Sequence, residues 1–440
     1  MFAQKLRSAA VFFGDVAFLY GALALTLFFR YGKFDFGNSF SVHLEPFSFI
    51  FTVWLLIFYL SDLYSNKFFR HNLNTLRNFL LAIIISVIIS IIAFYAFEPF
   101  FKLTPKTNLL IFSVIFGIID YSWRLSLGQL FISGGLRRQS LIIDDSPNAN
   151  LIVDYLNDNP QAGYNVNLWL KEINKEKISD LSSLITDNKI ETLIIGNAIK
   201  KNPLSIKQIY QLLPLEIQIF NSADFFELIF QKVPLEELEE SWFIEEIAAG
   251  RRIYDTIKRA ADIVIPFGLI MVFLPLFFLI SILIKITSKG PVIYKQKRIG
   301  KNNRPFILYK FRSMKTGEKG PLWTEEKDKR LTFIGKILRY THLDELPQLF
   351  NILKGNISFI GPRPERSELA EMYSSLPHYE IRHIIKPGLT GWAQVNYKPS
   401  ASLEEAHEKL QYDIYYIKNR SLFLDFLIIL KTIKYIFISH

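Results

Sequence analysis

Four apolar stretches fill the first part of the chain, at roughly 9–30, 46–64, 78–100 and 107–131. Each is long enough to cross a bilayer as a helix, which takes about 20 residues. The flanking segments differ in charge. Lys5 and Arg7 precede the first stretch, Lys67, Arg70 and Arg77 lie around the second loop, and Arg137 and Arg138 follow the fourth. The loops 31–45 and 101–106 hold no arginine and only Lys33, Lys102 and Lys106. That bias puts both ends of the four-span region in the cytoplasm. Asp15, Asp120 and Arg124 fall inside or near the spans, where charges either pair with each other or mark a transport path.

After Arg138 the period changes. SLIIDD (140–145), ETLIIGNA (191–198) and EIQIFNS (216–222) read as strands, with helices over 149–157 and 204–213 between them. Strands alternating with helices predict a parallel α/β sheet. The turn after the first strand, Asp144 to Asn148, has no glycine and carries two carboxylates. A phosphate-binding turn needs close backbone approach and no facing negative charge, so a structural role, or one in forming a homodimer, fits this domain better than dinucleotide binding.

Residues 225–242 read as a connecting stretch, and 261–286 form a fifth apolar run with Pro275 in its middle. Basic residues flank it on both sides: Arg251, Arg252, Lys258 and Arg259 before, Lys285, Lys289, Lys295, Lys297 and Arg298 after. Cytoplasmic placement of both flanks requires the segment to enter the membrane, bend near Pro275 and return. The alternative is a proline-kinked helix that crosses. The final run, 421–438, with Lys431 and Lys434, reads as an interfacial helix.

Composition agrees with a membrane protein of two or three domains. Of 440 residues, 50% are hydrophobic and 40 are Phe, and mean hydropathy is +0.20. The formal net charge of +10 suits cytoplasmic loops against anionic headgroups, and no nucleic-acid partner is expected. With no cysteine, disulfides, thiolate metal sites and cysteine nucleophiles are excluded. The seven histidines show no metal-ligand spacing. The first apolar run leads into further spans, so no cleavable signal peptide is expected.

The chemistry concentrates in HLDELPQLFNILKGNISFIGPRPE, 342–365. Pro347 belongs near a helix start. Leu346, Leu349, Phe350 and Leu353 follow at helical spacing, so a helix is expected to begin close to Asp344. Asp344 and Glu345 then sit at the positive end of its dipole, either as a plain N-cap and first-turn acid or as a site for phosphate chemistry with a divalent cation. Arg339 and Arg363 are the candidate phosphate binders, because a guanidinium fork matches phosphoryl oxygens. Lys310 and Arg312 add positive charge that serves a nucleotide or the structure. Trp392 either stacks on a base or belongs to the core.

KRAADIV (258–264), residues 289–314 from Lys289 to Met314, LDELPQLFNILKGNISFIGPRPE (343–365) and KPGLTGWAQVN (386–396) resemble, in order, the bacterial sugar transferase family. Its members are the polyprenyl-phosphate hexose-1-phosphate transferases, or monotopic phosphoglycosyl transferases, and the whole chain resembles the long form. The resemblance implies a membrane protein of mixed class. It has a four-helix transmembrane bundle over 1–134, a Rossmann-like α/β domain over 135–240 and a linker over 241–257. A mainly α monotopic catalytic domain with a re-entrant membrane helix occupies 258–440. It implies a multi-pass protein of the bacterial inner membrane with its catalytic domain on the cytoplasmic face. Asp344 is the implied nucleophile on a UDP-sugar, UMP the leaving group and undecaprenyl phosphate the acceptor. Glu345 is the implied Mg²⁺ ligand, and the product starts a surface glycan such as O-antigen, capsule or exopolysaccharide. Asp413 and Asp425 match acids of the family, and Lys398 stands where an arginine is common. Leu274 replaces the usual serine before Pro275. Two alternatives stay open: a lipid-diphosphate hydrolase using the same aspartate with water as acceptor, and a non-enzymatic glycan-assembly scaffold, whose mark would be loss of Asp344 or Glu345. The sugar is not specified.

Overall fold

A computed structural model describes residues 2–61, 63–64, 73–96, 106–132, 137–171, 181–247, 250–315, 330–397 and 402–438. The chain is mostly helical, with several apolar helices long enough to span a membrane and a small parallel sheet. Its contacts divide it into two compact units, Met1–Leu228 and Ile229–His440.

In the first unit, helix α1 (Phe2–Leu60) breaks at Gly32, where φ is 67°. Only glycine enters that region freely. Two apolar arms result, Ala9–Gly32 and Gly37–Leu60, so most of the expected loop 31–45 is helical. Helices α2 (Leu73–Ala96) and α3 (Lys106–Ile132) complete the set. Phe47, Phe51, Trp54 and Phe58 of α1 pack with Phe112 and Phe116 of α3. Offset and edge-on aromatic pairs dominate this core, as ring quadrupoles favour. The three charges pair with each other. Arg124 donates to Asp15 at 2.6 Å, to Asp120 at 2.7 Å and to the Leu63 carbonyl at 2.7 Å.

The sheet has order β2-β1-β3-β4, all parallel. The strands are β1 (Arg138–Ile143), β2 (Tyr164–Leu170), β3 (Thr192–Ile195) and β4 (Gln218–Asn221). β2 has no counterpart among the expected strands. Its sequence YNVNLWL interrupts the apolar pattern with two asparagines. Helix α4 (Pro147–Asp158) begins at Ser146, whose hydroxyl caps Ala149 N–H. The Asp144 carboxylate accepts from Ser146 N at 3.0 Å and Ser146 Oγ at 2.9 Å, so it fastens this turn.

The second unit is organised by α5 (Arg252–Thr287), a helix of 36 residues. The bend expected near Pro275 does not break it: the segment stays helical through both Pro266 and Pro275. Proline's φ is itself helical; what it removes is one backbone donor. The helix is tied to one body along its length. Arg259 donates to the carbonyls of Ile352 and Leu353 at 3.0 and 2.9 Å. Asp262 accepts from Ser358 Oγ and Phe359 N at 3.1 and 3.0 Å. Ile270 packs with Leu349 and Ile352, and Ile280 and Ile284 pack with Phe311 and Leu338. On the other side, Ile253, Ile257, Val264, Met271, Phe278 and Ile286 form an exposed apolar stripe at helical spacing.

Strands β5 (Ile293–Ile299) and β6 (Pro305–Phe311) form an antiparallel hairpin in which Tyr294 opposes Lys310. Helix α6 (Phe333–Tyr340) and helix α7 (Gln348–Lys354) follow, then β7 (Ser358–Ile360) beside parallel β8 (Gly388–Thr390). Two C-terminal helices close the unit, α8 (Leu403–Asn419) and α9 (Leu422–Ile438).

Candidate functional site

Asp344 and Glu345 do not lie on the first turn of α7. They form a single tight turn, Leu343–Glu345, entered through His342 at φ 55°, and α7 starts only at Gln348. The turn closes with i→i+3 bonds, Glu345 N to His342 O at 3.2 Å and Leu346 N to Leu343 O at 3.3 Å. The expected contribution of a helix dipole is therefore replaced by side-chain cations. Leu346, Leu349 and Leu353 do face the core as their spacing predicts, and Phe350 meets Phe277 of α5 edge-on at 5.8 Å.

Three elements converge on the acidic pair. From β6, Lys310 Nζ lies 2.5 Å from Glu345 Oε1. From the turn after β7, Arg363 Nη2 lies 2.8 Å from the same oxygen. From the last turn of α6, Arg339 donates to Ser313 Oγ at 3.0 Å and acts electrostatically on Asp344. Gly335 allows this: a Cβ there would lie 1.9 Å from the Ser313 carbonyl oxygen.

The two carboxyls differ in state. Burial pushes Glu345 up, but Arg363 and Lys310 outweigh it and hold the group well below the usual carboxylate range. Asp344 is buried, and its carboxyl accepts no hydrogen bond among the described residues. Burial raises its pKa, with Glu345 adding to the rise, and Lys310 and Arg339 oppose them. A carboxylate that is desolvated and unpaired is a better nucleophile than a solvated one. Burial lowers the Lys310 pKa against the pull of Glu345.

A further network stands behind Arg363. Arg382 Nη2 donates to Asp413 at 3.0 Å, and Lys409 Nζ lies 2.7 Å from Glu365. Burial raises Glu365, yet Lys409 and Arg382 hold it at about 2. Asp413 is fully buried and raised by that burial, with Arg382 opposing. Asp413 thus supports the arginine turn from behind. Arg298 of β5 joins the same turn, donating to the Pro364 carbonyl at 2.9 Å. Burial, then Arg363, lower its pKa to about 10. Glu365, Arg382, Lys409 and Arg298 were not among the expected site residues. Glu365 ends the GPRPE run and Arg298 lies in QKRIG, but nothing local marks Arg382.

Other expected site residues lie apart. Asp425 binds Lys258 at 2.7 Å, Tyr254 at 2.9 Å and Tyr416 at 2.8 Å, joining α9 to α5. Arg312 is buried and donates to Ser288 O and Oγ at 2.8 and 2.7 Å, with Nε and Nη1 unpartnered. Trp392 belongs to the core: its Nε1 donates to Gln231 O at 2.9 Å and its ring stacks on Tyr415. Lys398 lies outside the described residues.

Among the described residues, no cluster of three or more acidic or histidine side chains could hold a metal. Glu345 Oε1 is already shared by two cations, whereas Oε2 and the Asp344 carboxyl carry no hydrogen bond there. That donor set fits Mg²⁺, which keeps several waters and binds through one or two carboxylates plus substrate phosphates.

Residues 253–439 match the family described as bacterial sugar transferase. A UDP-N-acetylgalactosamine-undecaprenyl-phosphate N-acetylgalactosaminephosphotransferase of Aeromonas hydrophila is 40% identical over 221 residues, 50% of this chain and 52% of that one. The chain thus spans about half the length of that relative. A UDP-glucose:undecaprenyl-phosphate glucose-1-phosphate transferase of Escherichia coli (strain K12) is 29% identical over 331 residues, 70% of each chain. An exopolysaccharide production protein of Rhizobium leguminosarum bv. phaseoli is 40% identical over 186 residues, 40% of this chain and 93% of that one. With this match over nearly the whole of a relative, and the acidic pair and its cations in place, the chain belongs to the bacterial sugar transferase family.

Proposed function

We propose that this protein transfers a hexose-1-phosphate from a UDP-sugar to undecaprenyl phosphate through a covalent intermediate on Asp344. The observation that carries the reading is the Asp344 carboxyl, buried and without a hydrogen bond among the described residues, beside a Lys310–Glu345–Arg363 cluster. The names of the relatives support the substrate classes.

Asp344 attacks the sugar-linked phosphorus. The bond from that phosphorus to the bridging oxygen breaks, and UMP leaves with the electron pair. A phosphate oxygen of undecaprenyl phosphate then attacks the same phosphorus. The Asp344–phosphorus bond breaks, the carboxylate is restored, and the product is a lipid diphosphosugar. The acceptor is already anionic, so the second step needs no strong base. The demand on the protein is charge neutralisation. Arg363, Arg339 and Lys310 supply it, with Arg363 fixed by its Glu345 contact. Glu345 Oε2 would hold Mg²⁺, which supplies further neutralisation of phosphoryl oxygens when bound.

The same reading gives the membrane arrangement. The helices of 1–134 form a four-helix transmembrane bundle, 135–240 a Rossmann-like domain that serves structure or homodimer formation, and 258–440 a monotopic catalytic domain. The protein sits in the bacterial inner membrane, with α5 entering from the cytoplasmic face, kinking at its prolines while it stays helical, and returning to that face. Its product starts a surface glycan. Basic flanks on both sides of α5 and its unbroken attachment to one body support this placement.

Mass spectrometry of the full-length protein with UDP-sugar alone tests the chemistry. A phosphosugar adduct on Asp344, discharged by undecaprenyl phosphate, is the expected result. UMP release with no adduct at that residue would overturn the covalent route, and discharge by water alone would favour hydrolysis. A screen of UDP-sugars scored by UMP release then identifies the donor.

A further inference from the structure

An open cavity of about 830 Å³ lies at the start of α5, between residues 250–257 and the corner joining α8 to α9 at 420–422. No residue around Asp344 lines it. Three arginines do. Arg251 donates to the carbonyls of Arg420 and Lys418, the second at 2.6 Å, so among the described residues its charge meets neutral acceptors. Arg420 Nε is buried without a partner. Among the described residues, neither Arg252 nor Arg420 forms an ion pair, and the nearby Asp425 is taken by Lys258. No side chain caps the first turn of α5, so its backbone N–H groups add positive potential. The site carries net positive charge: three arginines line it, and Asp255 in the first turn of α5 offsets one of them.

The rest of the lining is apolar. Ile253 is 79% exposed, and Ile257 and Leu422 are also exposed. Ile253 and Ile257 are the first two members of the stripe that runs down α5 to Ile286. A cationic pocket opening onto an apolar track is complementary to a molecule with a phosphate head and a hydrocarbon tail. Free phosphate would leave the track unused. A polyprenyl phosphate acceptor must meet phosphorus on Asp344, and this cavity contains no part of that site.

We propose that the cavity holds the phosphodiester of an anionic membrane phospholipid, bound as a resident lipid. Arg252 and Arg420 contact the phosphate, and the acyl chains lie along Ile253 and Ile257. This rests on the membrane placement of α5 given above and extends it from general surface attraction to a defined site.

The test uses the full-length protein in nanodiscs of phosphatidylcholine with or without added phosphatidylglycerol, released into detergent for native mass spectrometry. The wild type is expected to retain one phosphatidylglycerol in preference to phosphatidylcholine by about tenfold, as charge-assisted contacts from two arginines allow. Arg252→Gln and Arg420→Gln should each remove most of that preference. Arg252 is exposed, so its variant decides the matter should Arg420→Gln not fold. Equal retention by wild type and Arg252→Gln overturns the proposal. So does displacement of the retained lipid by undecaprenyl phosphate, which would make this the acceptor site, or by inorganic phosphate, which would make the tail irrelevant. Labelling of the two flanks of α5 from opposite sides of the membrane would instead overturn the membrane placement on which the proposal rests.

Discussion

Arg382 Nη2 lies 2.9 Å from the backbone carbonyl oxygen of Arg363. The same nitrogen lies 3.0 Å from Asp413, and Nη1 lies 3.7 Å from Glu365. One buried guanidinium thus holds the backbone of the arginine that reaches Glu345. Arg382→Met leaves the Asp413 carboxyl buried without its cation. A loss of about 3 kcal/mol or more is expected, the usual cost of breaking a buried pair from one side. Chemical denaturation reads that loss. A raised KM for UDP-sugar, partly restored in Arg382→Lys, would show that it positions Arg363 as well.

Asp344→Asn separates the chemistry from the fold. Activity should fall by about 10³-fold or more, because the nucleophile is gone. Stability should move the other way. Burial raises the Asp344 pKa, so the folded state binds its proton more tightly than the unfolded chain does. The ionised carboxyl therefore costs stability near neutral pH, and that cost is recovered as pH falls through the raised value. The variant should melt higher than the parent at neutral pH, with the difference shrinking on acidification. A variant that melts lower at neutral pH would contradict this account of Asp344.

Glu345→Gln should behave in the opposite sense. Glu345 is held well below its ordinary range by Arg363 and Lys310 against burial. It contributes stability above the ordinary carboxylate pKa, and that contribution is lost only in strong acid. Removing its charge leaves two cations facing a neutral group. The cost is about 2 kcal/mol, reduced from that of a fully buried pair because Arg363 is partly exposed. Glu345 also pulls the Lys310 pKa upward against burial. Without it, Lys310 loses its proton at lower pH, so the alkaline limb of the pH–rate profile should shift down. An unmoved limb, with activity otherwise measurable, would remove Lys310 from the phosphate-binding role.

Much of this site was legible as a set of residue types. Asp344, Glu345, Arg339, Arg363 and Lys310 stand in motifs whose chemistry can be named without coordinates. Their shared geometry was not legible. Lys310 and Arg363 meet one oxygen of Glu345 from 35 and 18 residues away, and no local pattern encodes such a convergence. Arg382 escaped for the same reason, since its partner Asp413 lies 31 residues on. The helix start was misjudged because Pro347 suits the first position of a helix and also a tight turn just before one. β2 escaped because its asparagines disguise a strand whose register is fixed by β1. The apolar runs that became long helices were the most readable part, because hydrophobicity there is a matter of the chain's own composition.

The path of α5 gives the last prediction. A helix that crosses a bilayer needs about 20 predominantly apolar residues, a length that α5 has, so its path is decided by its flanks and its contacts. In α5, Arg259, Asp262, Ile270, Phe277, Ile280 and Ile284 each touch the body that carries Asp344. These ties, with basic residues on both flanks, argue for a segment that stays with that body and keeps both ends on the cytoplasmic side. The exposed stripe on the opposite side then meets lipid while both ends stay on one face. Because the chain has no cysteine, single replacements report cleanly. Asp255→Cys and Lys289→Cys should react with a membrane-impermeant thiol reagent from the same side, in inside-out vesicles and not in intact cells. Labelling of the two positions from opposite sides would falsify the re-entrant placement and carry Asp344 away from its cytosolic donor.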